Sequence, residues 1–175
     1  MLRIALIYGS ISGIIVISVM TAGIVFSDGK GAGASQAFGY LIMLIALSMI
    51  FIGVKRHRDT NLGGIIKFAP AFGMGIAIAA VAGVFYVAGW EAYLASTDYA
   101  FASQYAEGII EAKRQAGVTG ETLEKAIEDM DKMVTNYANP LYRLPITFSE
   151  IFPIGLLIAL ISALILRNPK AFPAR

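Results

Sequence analysis

The sequence predicts an all-α membrane protein: four transmembrane helices with an extracytoplasmic helical hairpin between the third and the fourth. Three observations carry this prediction. Hydrophobic residues make up 57% of the 175 residues and charged residues only 15%, where soluble domains average about 25% charged, and the mean hydropathy is +0.69. The apolar residues are gathered in long uninterrupted blocks. The charges lie almost wholly between those blocks.

A helix needs about 20 apolar residues to cross a hydrocarbon core. Four blocks meet that length, over about residues 4–26, 37–54, 68–90 and 144–166, and together make a single transmembrane domain spanning residues 1–175. The first runs from Ile4 to Phe26 without a charge and ends at Asp28-Gly29-Lys30-Gly31. It is longer than the apolar core of a secretory signal, so a retained helix is expected. The second, Ala37 to Val54, is the shortest and ends at Lys55-Arg56-His57-Arg58-Asp59. Trp90-Glu91 closes the third, and Arg167-Asn168-Pro169-Lys170 the fourth. Barrel strands would be about ten residues long with alternating polarity. Continuous blocks twice that length are helices, which satisfy their own backbone in lipid.

Lysines and arginines orient the bundle. The N-terminus, the 55–67 loop and the C-terminal tail hold eight cations, Arg3, Lys55, Arg56, Arg58, Lys67, Arg167, Lys170 and Arg175, against the single acid Asp59. The opposite side holds six cations against eleven acids, a balance of −5 facing +7. Short basic loops stay in the cytoplasm, so both termini are expected there, in a multi-pass protein of the bacterial cytoplasmic (inner) membrane. Lys55-Arg56-His57-Arg58 reads as that topology signal, with anionic headgroups as a further contact and His57 as a solvated loop residue.

Residues 91–143 form the extracytoplasmic helical insert, read as two amphipathic helices broken at Gly117. Phe101, Tyr105, Ile109 and Ala112 recur at helical spacing in the first, and Leu123, Ile127, Met130 and Val134 in the second. Gly117 suits the position just past a helix end and Thr119 an N-cap. Glu121 and Glu124 suit a helix N-terminus, and Asn139-Pro140 ends the second helix. Such stripes ordinarily form a core, packing on each other, on the bundle or on the bilayer surface.

Small residues let membrane helices approach closely. The first helix has Gly9-x-x-x-Gly13, and the third has Ala71, Gly75, Ala79 and Gly83 at four-residue spacing. These helix-packing residues are expected to join helices within the chain, the first to the third among the options, with a homodimer interface as the alternative.

Glu150 lies inside the fourth apolar block, where a carboxylate is costly and marks an ion or proton path or an interfacial anchor. Pro153 adds a kink that frees a backbone carbonyl. Glu91 sits with Tyr86, Trp90 and Tyr93 in an interfacial aromatic belt, and could share an acidic mouth with Glu150. Arg143 is a candidate ion-pair partner for either carboxylate.

Several chemistries are excluded. The chain has no cysteine and one histidine, so disulfides, thiolate metal sites and histidine-based metal or haem sites are not expected. No catalytic residue, metal ligand or cofactor-binding residue can be assigned, and no enzyme or cofactor is expected. A net charge of +2 does not point to nucleic acid. Gly63-Gly64 and Gly29-x-Gly31-x-Gly33 lack the strand and helix of a phosphate loop and read as turns.

Two segments carry a resemblance: Gly53-Val54-Lys55-Arg56-His57-Arg58-Asp59 through Gly63-Gly64 to Phe68, and Leu144-Pro145-Ile146-Thr147-Phe148-Ser149-Glu150-Ile151-Phe152-Pro153-Ile154-Gly155. With the order of three spans, a charged helical insert and one more span, the chain resembles the DUF4199 family of small bacterial membrane proteins over nearly its whole length. The resemblance implies a bacterial cytoplasmic membrane, and a signature made here of Phe148, Glu150, Phe152, Pro153 and Gly155. It implies no activity. The expectation is a non-enzymatic accessory or scaffold protein acting through membrane lipid and another membrane protein or a homo-oligomer. The alternative is a small oligomeric transporter or channel with Glu150 at a cation or proton site.

Overall fold

A computed structural model describes residues 1–26 and 36–173. Asp28-Gly29-Lys30-Gly31, the glycines up to Gly33 and Arg175 lie outside the described residues. Within them the chain forms α1 (Leu2–Phe26), α2 (Gln36–Leu47), α3 (Met49–Asn61), α4 (Phe68–Ser96), α5 (Phe101–Gln115), α6 (Glu121–Ala138) and α7 (Pro140–Leu166), with no strand. Four stretches are long and apolar enough to span a bilayer: Leu2–Phe26, Ala37–Asn61, Phe68–Ser96 and Pro140–Leu166. The shortest, at 25 residues, reaches about 37 Å at 1.5 Å per residue, against a hydrocarbon core of about 30 Å. The chain is a multi-pass membrane protein.

The second span contains two helices, because α2 and α3 meet at Ser48. The Ser48 hydroxyl donates to the Ile45 carbonyl at 2.6 Å, and its N–H is shared between the Leu44 and Ile45 carbonyls, both at 3.2 Å. That is a tightened turn, with the chain still helical on both sides. The span runs on to Asn61, which corrects the reading of residues 55–61 as loop: Lys55 to Arg58 form the last turns of α3. Lysine and arginine are good helix formers, and nothing breaks the helix before Gly63 and Gly64, whose φ values are +64° and +88°. His57 is correspondingly 5% exposed, a buried residue and not a solvated one.

The chain divides into two compact units. One comprises Met1–Trp90 and Phe148–Arg175, the other Glu91–Thr147. In the first, α4 is the centre. Ala71, Met74, Ile78, Ala82 and Tyr86 repeat on one buried face. A Cβ at Gly9 would lie 2.6 Å from Val81 Cβ, and one at Gly13 2.5 Å from the Ala82 carbonyl oxygen. Gly75 instead meets Ala159 of α7, Gly155 of α7 meets Ala79, and Gly83 meets the Phe148 ring. Ala71 is wholly buried. The two small-residue motifs therefore do not face each other, because they occupy different sides of α4: α1 packs on 78–85 and α7 on the 75–83 stripe. The outer surface is also apolar, with Ile14, Ile45, Val84 and Leu157 among its exposed side chains. A helix apolar all round fits a lipid solvent.

Tyr86 is 1% and Trp90 7% exposed. They follow Ile78 and Ala82 at four-residue spacing on the inward face, so the expected interfacial belt is buried at these two positions.

In the second unit, α5 and α6 pack on one another. α5 ends in a Schellman turn: Gly117 N–H donates to the Arg114 carbonyl and Val118 N–H to Lys113, both at 3.0 Å, with Gly117 at φ +79°. Gly120, not Thr119, occupies the N-cap of α6, at φ +62° and ψ −148°. That conformation is open to glycine and strained for threonine. The buried residues of α5 are Ala102, Ala106 and Ile110, one position beyond the expected stripe. Small alanines let the helices approach, while Phe101 and Tyr105 stack on each other with ring centroids 6.1 Å apart and Tyr105 stays exposed.

Candidate functional site

Among the described residues three polar side-chain arrangements stand out, two of them built at helix ends and one within the spans. The most connected surrounds Arg143 in the second unit. Asn139 caps α7 by accepting the Leu141 N–H on its side-chain oxygen at 3.0 Å, and Pro140 takes the first helical position, where no N–H is needed. Arg143 thus sits in the first turn, 3% exposed. Its guanidinium forks onto Glu91, with Nε to Oε1 at 2.7 Å and Nη2 to Oε2 at 2.8 Å. Nη1 donates to the carbonyls of Tyr137 at 2.9 Å and Ala138 at 3.4 Å, the last residues of α6. The rings of Tyr99 and Tyr137 lie 5.0 and 5.9 Å from its central carbon. One cation therefore joins α4, α6 and α7, through bidentate pairing, a helix C-terminus and two ring faces. Tyr99 reaches it from a left-handed backbone, φ +57°, following Asp98 at +50°.

Past Ser103 and Val134 from this clasp, a groove opens between α5 and α6. The groove has a volume of about 580 Å³. Ala106, Ile110, Ile127, Met130 and Val134 give it an apolar floor, and Glu107, Glu111 and Asp131 stand on its walls with Arg114 at one end. No residue of α6 is buried. Leu123, Ile127, Met130 and Val134, the stripe expected to form a core, are only half-buried.

The second arrangement lies in the first unit. The Tyr86 hydroxyl donates to Glu150 Oε2 at 3.1 Å. Tyr86 is buried, whereas Glu150 is exposed. α7 runs through Pro145 and Pro153 without interruption, and Pro153 faces outward. Phe148 packs on Gly83 and Gly155 on Ala79, with Phe148 and Phe152 stacked at 5.0 Å. Phe148, Glu150 and Gly155 therefore meet α4, while Ser149 and Pro153 face outward. The two carboxylates have separate partners: Arg143 serves Glu91, and Tyr86 serves Glu150.

The third arrangement was not legible as a site in the sequence. Arg58, wholly buried, donates through Nε to Asp59 at 2.7 Å, and through Nη1 to the Ala171 carbonyl at 2.9 Å and the Leu166 carbonyl at 3.5 Å. Nη2 donates to the Phe172 carbonyl. Lys55 donates to the other oxygen of Asp59. Arg58 thereby occupies the C-terminus of α7 and holds the chain that follows, where Phe172 lies edge-on to Phe51 at 5.3 Å. In the structure Arg58 continues the buried face of α3 that Ile50 and Val54 begin; in an apolar span no sequence signal separated that face from the lipid-facing one. Tyr137, three residues beyond Val134, was in phase with the α6 stripe.

A family model described as a protein of unknown function (DUF4199) matches residues 7–168. No curated protein and no solved structure matches the chain.

Proposed function

The chain belongs to the DUF4199 family, and we propose that it is a non-enzymatic accessory or scaffold protein of the bacterial inner membrane. Both termini lie in the cytoplasm and the α5–α6 pair lies outside. The observation that carries this reading is the amphipathic α6, whose apolar stripe is left half-covered in the second unit. A helix of this kind loses apolar area to water unless a partner covers it. The basic helix end, loop and tail, with a balance of +7 against −5 across the bundle, support the orientation. Its partners are membrane lipid and either another membrane protein or a second copy of the chain.

The test is site-specific photo-crosslinking in native membranes, with the probe at Ile127 or at Asp129. Adducts to a membrane protein or a second copy at Ile127, absent at Asp129, are expected. A clean monomer after native-lipid purification, with no adduct at either position, would overturn the reading. Because the chain has no cysteine, single cysteines at Glu121 and Lys170 report the orientation. An impermeant maleimide added to intact cells should reach only the first.

A second reading rests on Glu150, an exposed carboxylate within a span, held by the buried Tyr86 hydroxyl. Carboxylates at such positions serve cation or proton transfer in small oligomeric transporters and channels. Unchanged flux in proteoliposomes after Glu150→Gln would remove this reading.

A further inference from the structure

We propose that the α5–α6 groove receives an amphipathic helix with a basic polar face, presented by another protein. This inference rests on the accessory reading and specifies the chemistry of its partner. The groove runs from Ser103 to Arg114 along α5, about 17 Å at 1.5 Å per residue, which accommodates three turns of a second helix. Its floor offers apolar contacts from both walls, as in helix-in-groove recognition, where anchors at i, i+3/i+4 and i+7 enter an apolar slot.

Charge decides between occupants. Glu107 and Asp131 stand on opposite walls, exposed, and neither forms an ion pair among the described residues. Glu111 is engaged by Arg114 at 3.9 Å and by Gln115 at 3.1 Å. Two unneutralised carboxylates therefore flank an apolar floor. A helix carrying lysine or arginine beside its apolar face satisfies both features at once. A second copy of α6 does not, since that helix itself carries five acids against two lysines and would bring like charge to the walls. An anionic lipid surface is disfavoured for the same reason.

The experiment uses the full chain in nanodiscs of zwitterionic phosphatidylcholine, with carbon-13 labels on the methionine methyl groups. Of the seven methionines, Met130 lies on the groove floor, while Met43 and Met74 are buried in the other unit. A 15-residue helical peptide of alternating leucine and lysine faces is titrated against its leucine–glutamate counterpart. Saturable shifts at Met130 with the lysine peptide are expected, with Met43 and Met74 silent. The glutamate peptide should bind at least fivefold more weakly, the size of two exposed ion pairs. Glu107→Lys with Asp131→Lys should invert the preference. Glu121→Lys with Asp129→Lys, which changes net charge equally away from the groove, should leave it intact.

Equal binding of both peptides, no shift at Met130, or equal effects of the two double variants would overturn the proposal. These outcomes are separable from failure of the accessory reading. If Ile127 crosslinks a partner in native membranes yet the lysine peptide shows no preference, the accessory role stands and the basic-helix assignment falls.

Discussion

Replacing Arg143 by alanine should loosen the whole second unit, and the size of the effect follows from what the guanidinium touches. Removing one partner of a fully buried ion pair costs about 3–5 kcal/mol, because the other charge is stranded. Here Arg143 is 3% exposed but Glu91 26%, so the stranded carboxylate regains part of its hydration and the cost drops to about 2–3 kcal/mol. Loss of the ring contacts to Tyr99 and Tyr137 adds about 0.5–1 kcal/mol. The α6 carbonyls at Tyr137 and Ala138 can turn to water and add little. A total of about 3 kcal/mol, at 1.4 kcal/mol per tenfold, speeds local opening roughly 100-fold.

Hydrogen–deuterium exchange of the protein in nanodiscs measures this directly, with α5 and α6 amides as the report and α1 amides as the internal reference. Glu91→Gln keeps one acceptor and the ring contacts but strands the more deeply buried charge, a guanidinium 3% exposed, and should cost about 2 kcal/mol, roughly a 30-fold acceleration. Two results would refute the reasoning. One is an Arg143→Ala change below about fivefold. The other is a Glu91→Gln change below about fivefold, which would mean that the charge pair is not what holds the unit.

Other consequences are independent of that clasp. Gly13→Ala places a methyl 2.5 Å from the Ala82 carbonyl oxygen, a backbone atom that cannot step aside; about 1–3 kcal/mol of destabilisation is expected in unfolding by denaturing detergent. Gly73→Ala meets nothing within 4 Å and should be neutral or stabilising by about 0.5–1 kcal/mol. Arg58→Ala releases the chain after α7, so trypsin should cut after Arg167 and Lys170 markedly faster than in the parent protein. Finally, the hydrogen bond from Lys132 at 2.6 Å, reinforced by its charge, holds the Glu128 carboxyl below the ordinary 4.5. The pair's contribution is therefore present above that value and lost as pH falls through the depressed one. A carbon-13 titration should find Glu128 below 4.5, and Lys132→Ala should bring it back; an unshifted midpoint in the parent would show that the pair is not formed in solution.

The distribution of apolar residues along the chain determined the four spans, because a hydrocarbon solvent demands long apolar helices whatever they pack against. Local chemistry likewise determined the Gly117 turn, since a left-handed residue is needed to close the carbonyls of α5. The same indifference of lipid hid the rest. In water, hydropathy separates the inside of a helix from its outside; in a bilayer Ile14 faces lipid and Val16 faces protein with equal ease. Which way Tyr86 and Trp90 turned, which side of α4 received Gly9 and Gly13, and which carboxylate took Arg143 were decided by packing between helices distant in sequence.

Arg58 shows the limit most clearly. As a charge it marked the end of a span, which its type alone justifies. Its burial against the carbonyls of Leu166, Ala171 and Phe172, more than 100 residues away, depended on where α7 ends in space. The apolar stripe of α6 was equally plain in the sequence. Only the tertiary structure showed that α5 offers small alanines in return and leaves that stripe half-covered, because two helices meeting along one edge cannot enclose a face as wide as this one.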